Sequence, residues 1–242
     1  MILCIDSGNT RLKWGLRDGS AWAATGALAH AQAAALELPQ RPLRIVACNV
    51  AGSRGDSAIE ALAQRLDLGV DWVRSQPAQC DVVNRYDAPD QLGADRWAAL
   101  IGARSLYAGP CVVVMCGTAT TIDLLDADGK FQGGLILPGL DLMRAALADS
   151  AADLPPARGE YHELPRNTFD AIASGAVEAT LGAIERMSRR TASAVRVDTA
   201  THDFSVILSG GAASMLVPHL ELQHRVIDNL VLEGVARIAA AL

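Results

Sequence analysis

At 242 residues the chain can form one large or two small domains, and with half of its residues apolar and only 20% charged it has ample material for a core. A net charge of −6 argues against nucleic acid and anionic membrane surfaces as partners. The five cysteines lack a CxxC spacing and the five histidines lack ligand spacing, so reduced thiols in the cytoplasm are expected rather than disulfides or a zinc site. No apolar run of membrane-spanning length is free of polar residues. The N-terminus has no basic region before its apolar run and places Asp6 early, unlike a signal peptide.

Taken in order, Met1 to Asp6 is an apolar run that predicts a strand, and Ser7-Gly8-Asn9-Thr10 is a small polar turn. Arg11 to Arg17 is a second strand, closed by the Asp18-Gly19 hairpin signal. Ala21 to Leu38 is alanine-rich and predicts a helix that ends before Pro39. Leu43 to Cys48 is an unbroken apolar strand of the kind buried on both faces. After a turn over Asn49 to Gly55, Asp56 is expected to cap a helix running to Leu66. Val70 to Val73 reads as a strand, so the β-α-β order implies a parallel pair. Cys80 to Gln91 is a polar loop around Tyr86. Leu92-Gly93-Ala94-Asp95-Arg96-Trp97 then opens a helix to about Tyr107. An acid in a first helical turn is ordinary helix-start chemistry and equally a candidate functional group. A boundary at Ala108-Gly109-Pro110 divides the chain into domains 1–109 and 110–242.

The second half repeats the opening pattern. The apolar strand Val112 to Met115 stops at Cys116-Gly117-Thr118, Ala119 to Leu125 turns back, and an Asp126-to-Gly129 turn leads into a strand from Lys130 to Leu137. A tip of glycine and threonine serves a tight hairpin, and it also lets backbone N–H groups wrap an anion. Two halves that each open strand, small polar tip, strand and D-G turn point to a nucleotide held by both tips. Pro138-Gly139 leads to a helix over Leu140 to Ala148, followed by a long proline-bearing loop, Asp149 to Pro165. Thr168 is expected to cap the longest helix, Phe169 to about Arg190. On it Gly175 and Gly182 mark either close packing, for instance against a second subunit, or tolerated glycines. Val206 to Leu208 is a strand ending in Ser209-Gly210-Gly211, and Asn229 to Leu242 is a closing apolar helix.

Five motifs in this order are similar to those of type III pantothenate kinases, of the superfamily of acetate and sugar kinases, Hsp70 and actin. They are D-x-G-N-T (Asp6, Gly8, Asn9, Thr10), L-G-A-D-R (Leu92 to Arg96), G-T-A-T-T-x-D (Gly117 to Asp123), G-G-x-I-x-P-G (Gly133 to Gly139) and S-G-G (Ser209 to Gly211). The resemblance implies an α/β fold of two ribonuclease H-like, actin-like domains, each a mixed sheet flanked by helices, with ATP in the cleft. It implies a cytoplasmic homodimeric enzyme that phosphorylates pantothenate with ATP and Mg²⁺ in the first step of coenzyme A synthesis. It assigns the ATP phosphates to Asp6, Ser7, Gly8, Asn9, Thr10, Arg11, Leu12, Lys13 and Thr118. Tyr86, Gly93, Ala94, Asp95, Arg96 and Thr168 fall to pantothenate, with Asp95 as proton acceptor.

The residue chemistry agrees with these roles. Phosphoryl transfer needs positioning and charge neutralisation more than covalent chemistry. Asp6 beside an anion-binding turn suits Mg²⁺, which prefers one or two carboxylates with water and phosphate oxygens. Lys13 can serve a phosphate or face solvent, and Arg96 can fork onto a carboxylate. A helix N-terminus is expected to lower the pKa of Asp95, so it is read as orienter first and base second. One departure is Met115. Relatives commonly carry an aspartate there that ligates potassium or ammonium, and a thioether is a poor ligand for a hard cation. Two other readings stand beside the kinase: a nucleotide-binding regulatory or accessory protein without turnover, and another small-molecule kinase of the same superfamily.

Overall fold

The computed structural model describes residues 1–150, 159–195 and 204–242. The sequence reading of the loop at 149–165 therefore lies in part outside the described residues. The chain divides into two units: Met1–Ala108 with Asp128–Phe131 and Asn229–Leu242, and Gly109–Ala127 with Gln132–Asp228. A single cut at 109/110 does not follow this division, because two later segments return to the first unit.

The first unit is built on a five-stranded sheet ordered β3-β2-β1-β4-β5. Its strands are β1 (Ile2–Ser7), β2 (Leu12–Asp18), β3 (Ala21–Leu28), β4 (Arg44–Asn49) and β5 (Val70–Trp72). The pairs β1–β2 and β2–β3 are antiparallel, and β1–β4 and β4–β5 are parallel, as the β-α-β reading expects. Leu3, Ile5, Ile45 and Ala47 pack with Ile59, Leu62 and Ala63 of helix α1 (Ser53–Leu66). Strand alternation turns Cys4, Asp6, Val46 and Cys48 to the opposite face. Helices α2 (Ala94–Leu106) and α6 (Leu230–Ala239) contact the sheet as well as each other. Their approach is very close, since a Cβ on Gly234 would lie 1.7 Å from the Ala98 carbonyl oxygen and one on Gly102 would lie 2.5 Å from that of Leu230. This interlock is why the C-terminal helix belongs to the first unit.

Three sequence expectations are corrected. Ala21 to Leu38 is not a helix: Ala21–Leu28 is the edge strand β3, and only His30–Ala35 forms a short 3₁₀ segment. The β2 edge is available directly after the Asp18-Gly19 turn, and cross-strand pairing outweighs the modest helix preference of alanine. Trp22 lies over Gly15 and Trp14 over Gly26, contacts that a Cβ at either glycine would occupy. Helix α1 begins at Ser53 rather than at an Asp56 cap. Gly52 turns the chain at φ 66°, and Asp56 instead accepts from Asn49 Nδ2 at 2.8 Å. The stretch Cys80 to Gln91 is not wholly loop, since strand β7 (Val82–Asn84) forms within it and pairs with β6 (Ala78–Gln79) just before it.

In the second unit the strand order is β12-β11-β8-β9-β10. Its strands are β8 (Cys111–Cys116), β9 (Ala119–Leu125), β10 (Lys130–Pro138), β11 (Ser205–Ser209) and β12 (His224–Val226). With its own strands renumbered from one, this is the order of the first sheet again. The repeat glimpsed in the two hairpins thus extends to all five strands. Lys130 and Phe131, at the start of β10, group with the first unit and pair in parallel with Val83 and Asn84. Helices α3 (Leu140–Ser150), α4 (Thr168–Val195) and α5 (Ala213–Leu216) complete the unit. Val112, Val114, Ile122, Leu181, Ile184, Val206 and Leu208 form its core. Asn167, not Thr168, caps α4: its Oδ1 accepts from Asp170 N at 3.0 Å, leaving Thr168 as the first helical residue. Among the described residues no helix is long and apolar enough to cross a membrane.

Candidate active site

The first small polar loop joins two antiparallel strands, with Gly8 N donating to the Arg11 carbonyl at 3.1 Å. Asn9, Thr10 and Arg11 are exposed, whereas Asp6 and Ser7 are buried. Leu12 is fully buried in the core, so only its backbone is available to a ligand. Ser7 Oγ lies 3.1 Å from His30 Nε2 in a buried contact. Because Asp6 and Cys48 are register partners on β1 and β4, the Cys48 thiol donates to Asp6 Oδ1 at 3.6 Å. Burial pushes the Asp6 carboxyl up to about 6 against the lowering pull of Lys13, and the charge of Asp95 adds to the rise.

Asp95 and Arg96 stand in the first turn of α2. The Asp95 carboxylate folds back over that turn, its Oδ1 accepting from Arg96 N at 2.8 Å. Gly93 is required by this rotamer, since a Cβ there would come within 2.7 Å of Asp95 Oδ1. The expected lowering of the Asp95 pKa is overturned. Burial raises it, and the Arg96 N–H and guanidinium only partly offset that. The helix terminus is present, but desolvation outweighs it.

Arg96 is only 5% exposed, and its Nη1 donates to the Tyr86 hydroxyl at 2.9 Å. Its guanidinium lies over the Tyr86 and Phe131 rings at 5.6 and 5.8 Å, and the two rings stand 5.2 Å apart. Asn84 holds the intervening loop by donating to the Pro89 carbonyl and accepting from Tyr86 N, both at 3.0 Å. Within the first unit, then, Asp6, Lys13, Tyr86, Gly93, Ala94, Asp95 and Arg96 are linked by contact, charge or sequence adjacency. Sequence reasoning missed Phe131, Asn84 and Cys48. Phe131 is an ordinary apolar strand residue in sequence, and Cys48 an ordinary core thiol. Asn84 beside Tyr86 was the one available signal.

The second unit holds Thr118 and Thr168. Two glycine motifs converge on the backbone at residues 116–118. Gly139 N donates to the Thr118 carbonyl at 2.9 Å, and a Cβ on Gly139 would lie 2.2 Å from the Gly117 carbonyl. Gly210, at φ 104°, passes so close that its Cβ would lie 2.3 Å from the Cys116 carbonyl. The G-G-x-I-x-P-G and S-G-G motifs therefore act by allowing backbone to press against the G-T tip. Met115, one residue before Cys116, pairs across the sheet with Thr121 and Ser209. Thr168 borders an open groove between α3 and α4, lined also by Met143, Asn167 and Ile172.

Among the described residues no group of three or more His, Cys, Asp or Glu side chains is arranged to hold a metal by itself. Two desolvated carboxylates, Asp6 and Asp95, within electrostatic reach of each other do suit a divalent cation whose remaining ligands are water and phosphate oxygens.

Comparison with known proteins shows the family. The family model described as type III pantothenate kinase matches residues 2–190. A type III pantothenate kinase of Aromatoleum aromaticum is 50% identical over 99% of this chain and 98% of its own length. One of Dechloromonas aromatica is 49% identical over 99% of both. In fold, a Baf family protein of Campylobacter jejuni superposes with a TM-score of 0.65 at 20% identity, covering 99% of this chain and 98% of that one. A Sinorhizobium meliloti chain described as a 2-dehydro-3-deoxygalactonokinase gives 0.58 at 18% identity, covering 100% and 99%. Two mixed sheets of matching strand order, each with its own helices, are the actin-like and sugar-kinase architecture. The chain belongs to the type III pantothenate kinase family.

Proposed function

We propose that the chain transfers the terminal phosphoryl group of ATP to the primary hydroxyl of pantothenate, giving ADP and 4'-phosphopantothenate. The observation that carries this reading is the Asp95–Arg96 pair at the start of α2, with Arg96 buried and held by Tyr86, and Asp95 half-buried and within electrostatic reach of Asp6. Arg96 binds the pantothenate carboxylate, its plane fixed by the Tyr86 hydroxyl and two aromatic rings. Asp95 orients the hydroxyl. As the new P–O bond forms, the bond from the terminal phosphorus to the bridging oxygen breaks, its electrons leave with ADP, and the hydroxyl proton passes to Asp95. The raised pKa of Asp95 makes it a better acceptor than an ordinary aspartate. The loop from Asp6 to Lys13 and the Thr118 tip bind the phosphates, and Thr168 contributes on the pantothenate side. Asp6 would hold Mg²⁺ through water, and the ion would supply neutralisation of the phosphate charge.

Activation by the monovalent cation that the family uses is weakened or absent here, or its site is rebuilt from backbone carbonyls, because Met115 offers a thioether where a hard cation needs oxygen. The enzyme works in the cytoplasm as a homodimer. The deciding experiment is coupled ADP release with and without pantothenate, with hexoses and acetate as alternative acceptors and several monovalent cations at fixed ionic strength. Release that depends on pantothenate and is nearly flat across cations is expected. ATP binding without acceptor-dependent turnover favours the regulatory reading, release with a hexose or acetate favours another kinase, and steep potassium activation removes the Met115 argument.

A further inference from the structure

The first turn of α1 is built onto the tip of the first polar loop. Asn49 fastens the approach, accepting from Ala51 N and donating to the Gly52 carbonyl, both at 2.9 Å. Gly55 sits so close to the loop base that a Cβ would lie 2.0 Å from Asn49 Oδ1 and 2.5 Å from Ser7 Oγ. Helix and loop are thus one fixed piece. From it Arg54 reaches back, Nη2 donating to the Asn9 carbonyl at 2.5 Å. A cation in a first helical turn works against the helix dipole, so its placement here asks for a compensating anion. Asp56 in the same turn offsets part of that charge, but its carboxylate is engaged with Asn49 Nδ2 at 2.8 Å rather than with the guanidinium. Arg54 is exposed, and among the described residues it forms no ion pair. Of the loop's own cations, Lys13 already acts on Asp6, and Arg11 is exposed.

We propose that Arg54 binds the phosphates of the nucleotide, an inference that rests on the phosphate role given above to the loop from Asp6 to Lys13. A guanidinium carries five N–H donors in a rigid fork. One serves the Asn9 carbonyl and fixes the fork at the exposed loop tip, and the others are left for phosphate oxygens. The N-terminus of α1 reinforces the same positive field. The residue therefore couples loop shape to phosphate charge, and it recognises the triphosphate rather than the base or pantothenate.

Two substitutions in the full-length chain separate charge from loop support. Arg54→Gln keeps an N–H donor for the Asn9 carbonyl and removes the charge, while Arg54→Lys keeps the charge. Calorimetric titration with ATP and with adenosine is the readout, with thermal melting to show that the fold is intact. Arg54→Gln is expected to weaken ATP about 10- to 100-fold, the range for hydrogen bonds to a charged group, and to leave adenosine unchanged. Arg54→Lys is expected to recover most of the loss. The proposal is overturned if Arg54→Gln binds ATP as the parent does, or if ATP and adenosine weaken equally. Should the parent bind ATP but release no ADP with pantothenate, the kinase reading fails while the titration still decides Arg54. A parent chain that binds no ATP sinks both.

Discussion

The two units present their expected functional groups in opposite ways. In the first, beside the exposed loop residues Asn9, Thr10 and Arg11, the charged groups are drawn out of water: Asp6 is 8% and Arg96 5% exposed, and Asp95 is desolvated enough to raise its pKa. In the second, Gly117, Thr118 and Thr168 are all exposed, and the tight packing lies behind them, where Gly139 and Gly210 press on the backbone of residues 116–118. The difference follows from what each group is asked to do. A carboxylate that must orient or accept a proton gains from leaving water, because burial sets its pKa and strengthens its interactions. A tip that offers N–H and hydroxyl groups to phosphate needs shape and access, and glycine contacts supply the shape.

The sharpest way to break this contrast is Asp95→Asn. The amide keeps the shape but cannot take a proton, so turnover is expected to fall by about 10²- to 10⁴-fold. ATP affinity should hold and the melting temperature should not fall, because replacing a carboxylate whose pKa burial raises is neutral to stabilising at neutral pH. An unchanged rate would end the catalytic role of Asp95.

Tightness in the first unit is tested next by Gly234→Ala. The added Cβ would collide with the Ala98 carbonyl backbone, which has no side-chain torsion to move. Overpacking of this kind is expected to cost about 2 to 3 kcal/mol, read as a shift in denaturant midpoint. A neutral result would mean that α2 and α6 are free to part.

Third is the buried charge of Asp6. Its folded pKa of about 6 lies above the unfolded value of 3.8, so the folded chain holds the proton more tightly than the unfolded one. Stability of the nucleotide-free protein therefore rises as pH falls from about 6 towards 4, and above pH 6 the carboxylate destabilises the fold. Asp6→Asn should flatten that dependence and stabilise the free protein at pH 7 by on the order of 1 to 3 kcal/mol, while weakening Mg²⁺-dependent nucleotide binding. A substitution that leaves the melting profile against pH untouched would show that Asp6 is not desolvated.

These positions also show where the sequence could be read. The motifs singled out Asp6, Asp95, Arg96 and Thr118 as candidates because each sits at a strand end or helix start that local residues dictate. The repeat of hairpins was visible too, and carrying it one strand further would have recovered β3. The edge strand was lost because Ala21 to Leu28 owes its form to β2 and to the Trp14 and Trp22 rings over glycines, which no local propensity encodes. The direction of the Asp95 shift was missed for the same reason. A helix terminus is readable from sequence, but the packing that desolvates the carboxylate is not. Phe131 reaches Arg96 from 35 positions away in the chain, a tertiary fact with no local trace.

The smallest expected effect concerns the glycines of α4, where sequence left two readings open. Within the chain a Cβ on Gly175 or Gly182 meets nothing within 4 Å, and both residues are exposed. The opposite holds at Gly234, although all three are helix-interior glycines that look alike in sequence. Gly175→Ala should therefore stabilise the isolated chain by about 0.5 to 1 kcal/mol, the helix preference of alanine over glycine. If a homodimer forms through this stripe, the same methyl group meets the second copy, and the gain turns into a loss that depends on protein concentration. Melting at two concentrations, together with sedimentation, separates the cases. Higher stability with unchanged association leaves the stripe bare, whereas weaker association places another chain against it and makes the open face of α4 as tightly specified as the α2–α6 contact.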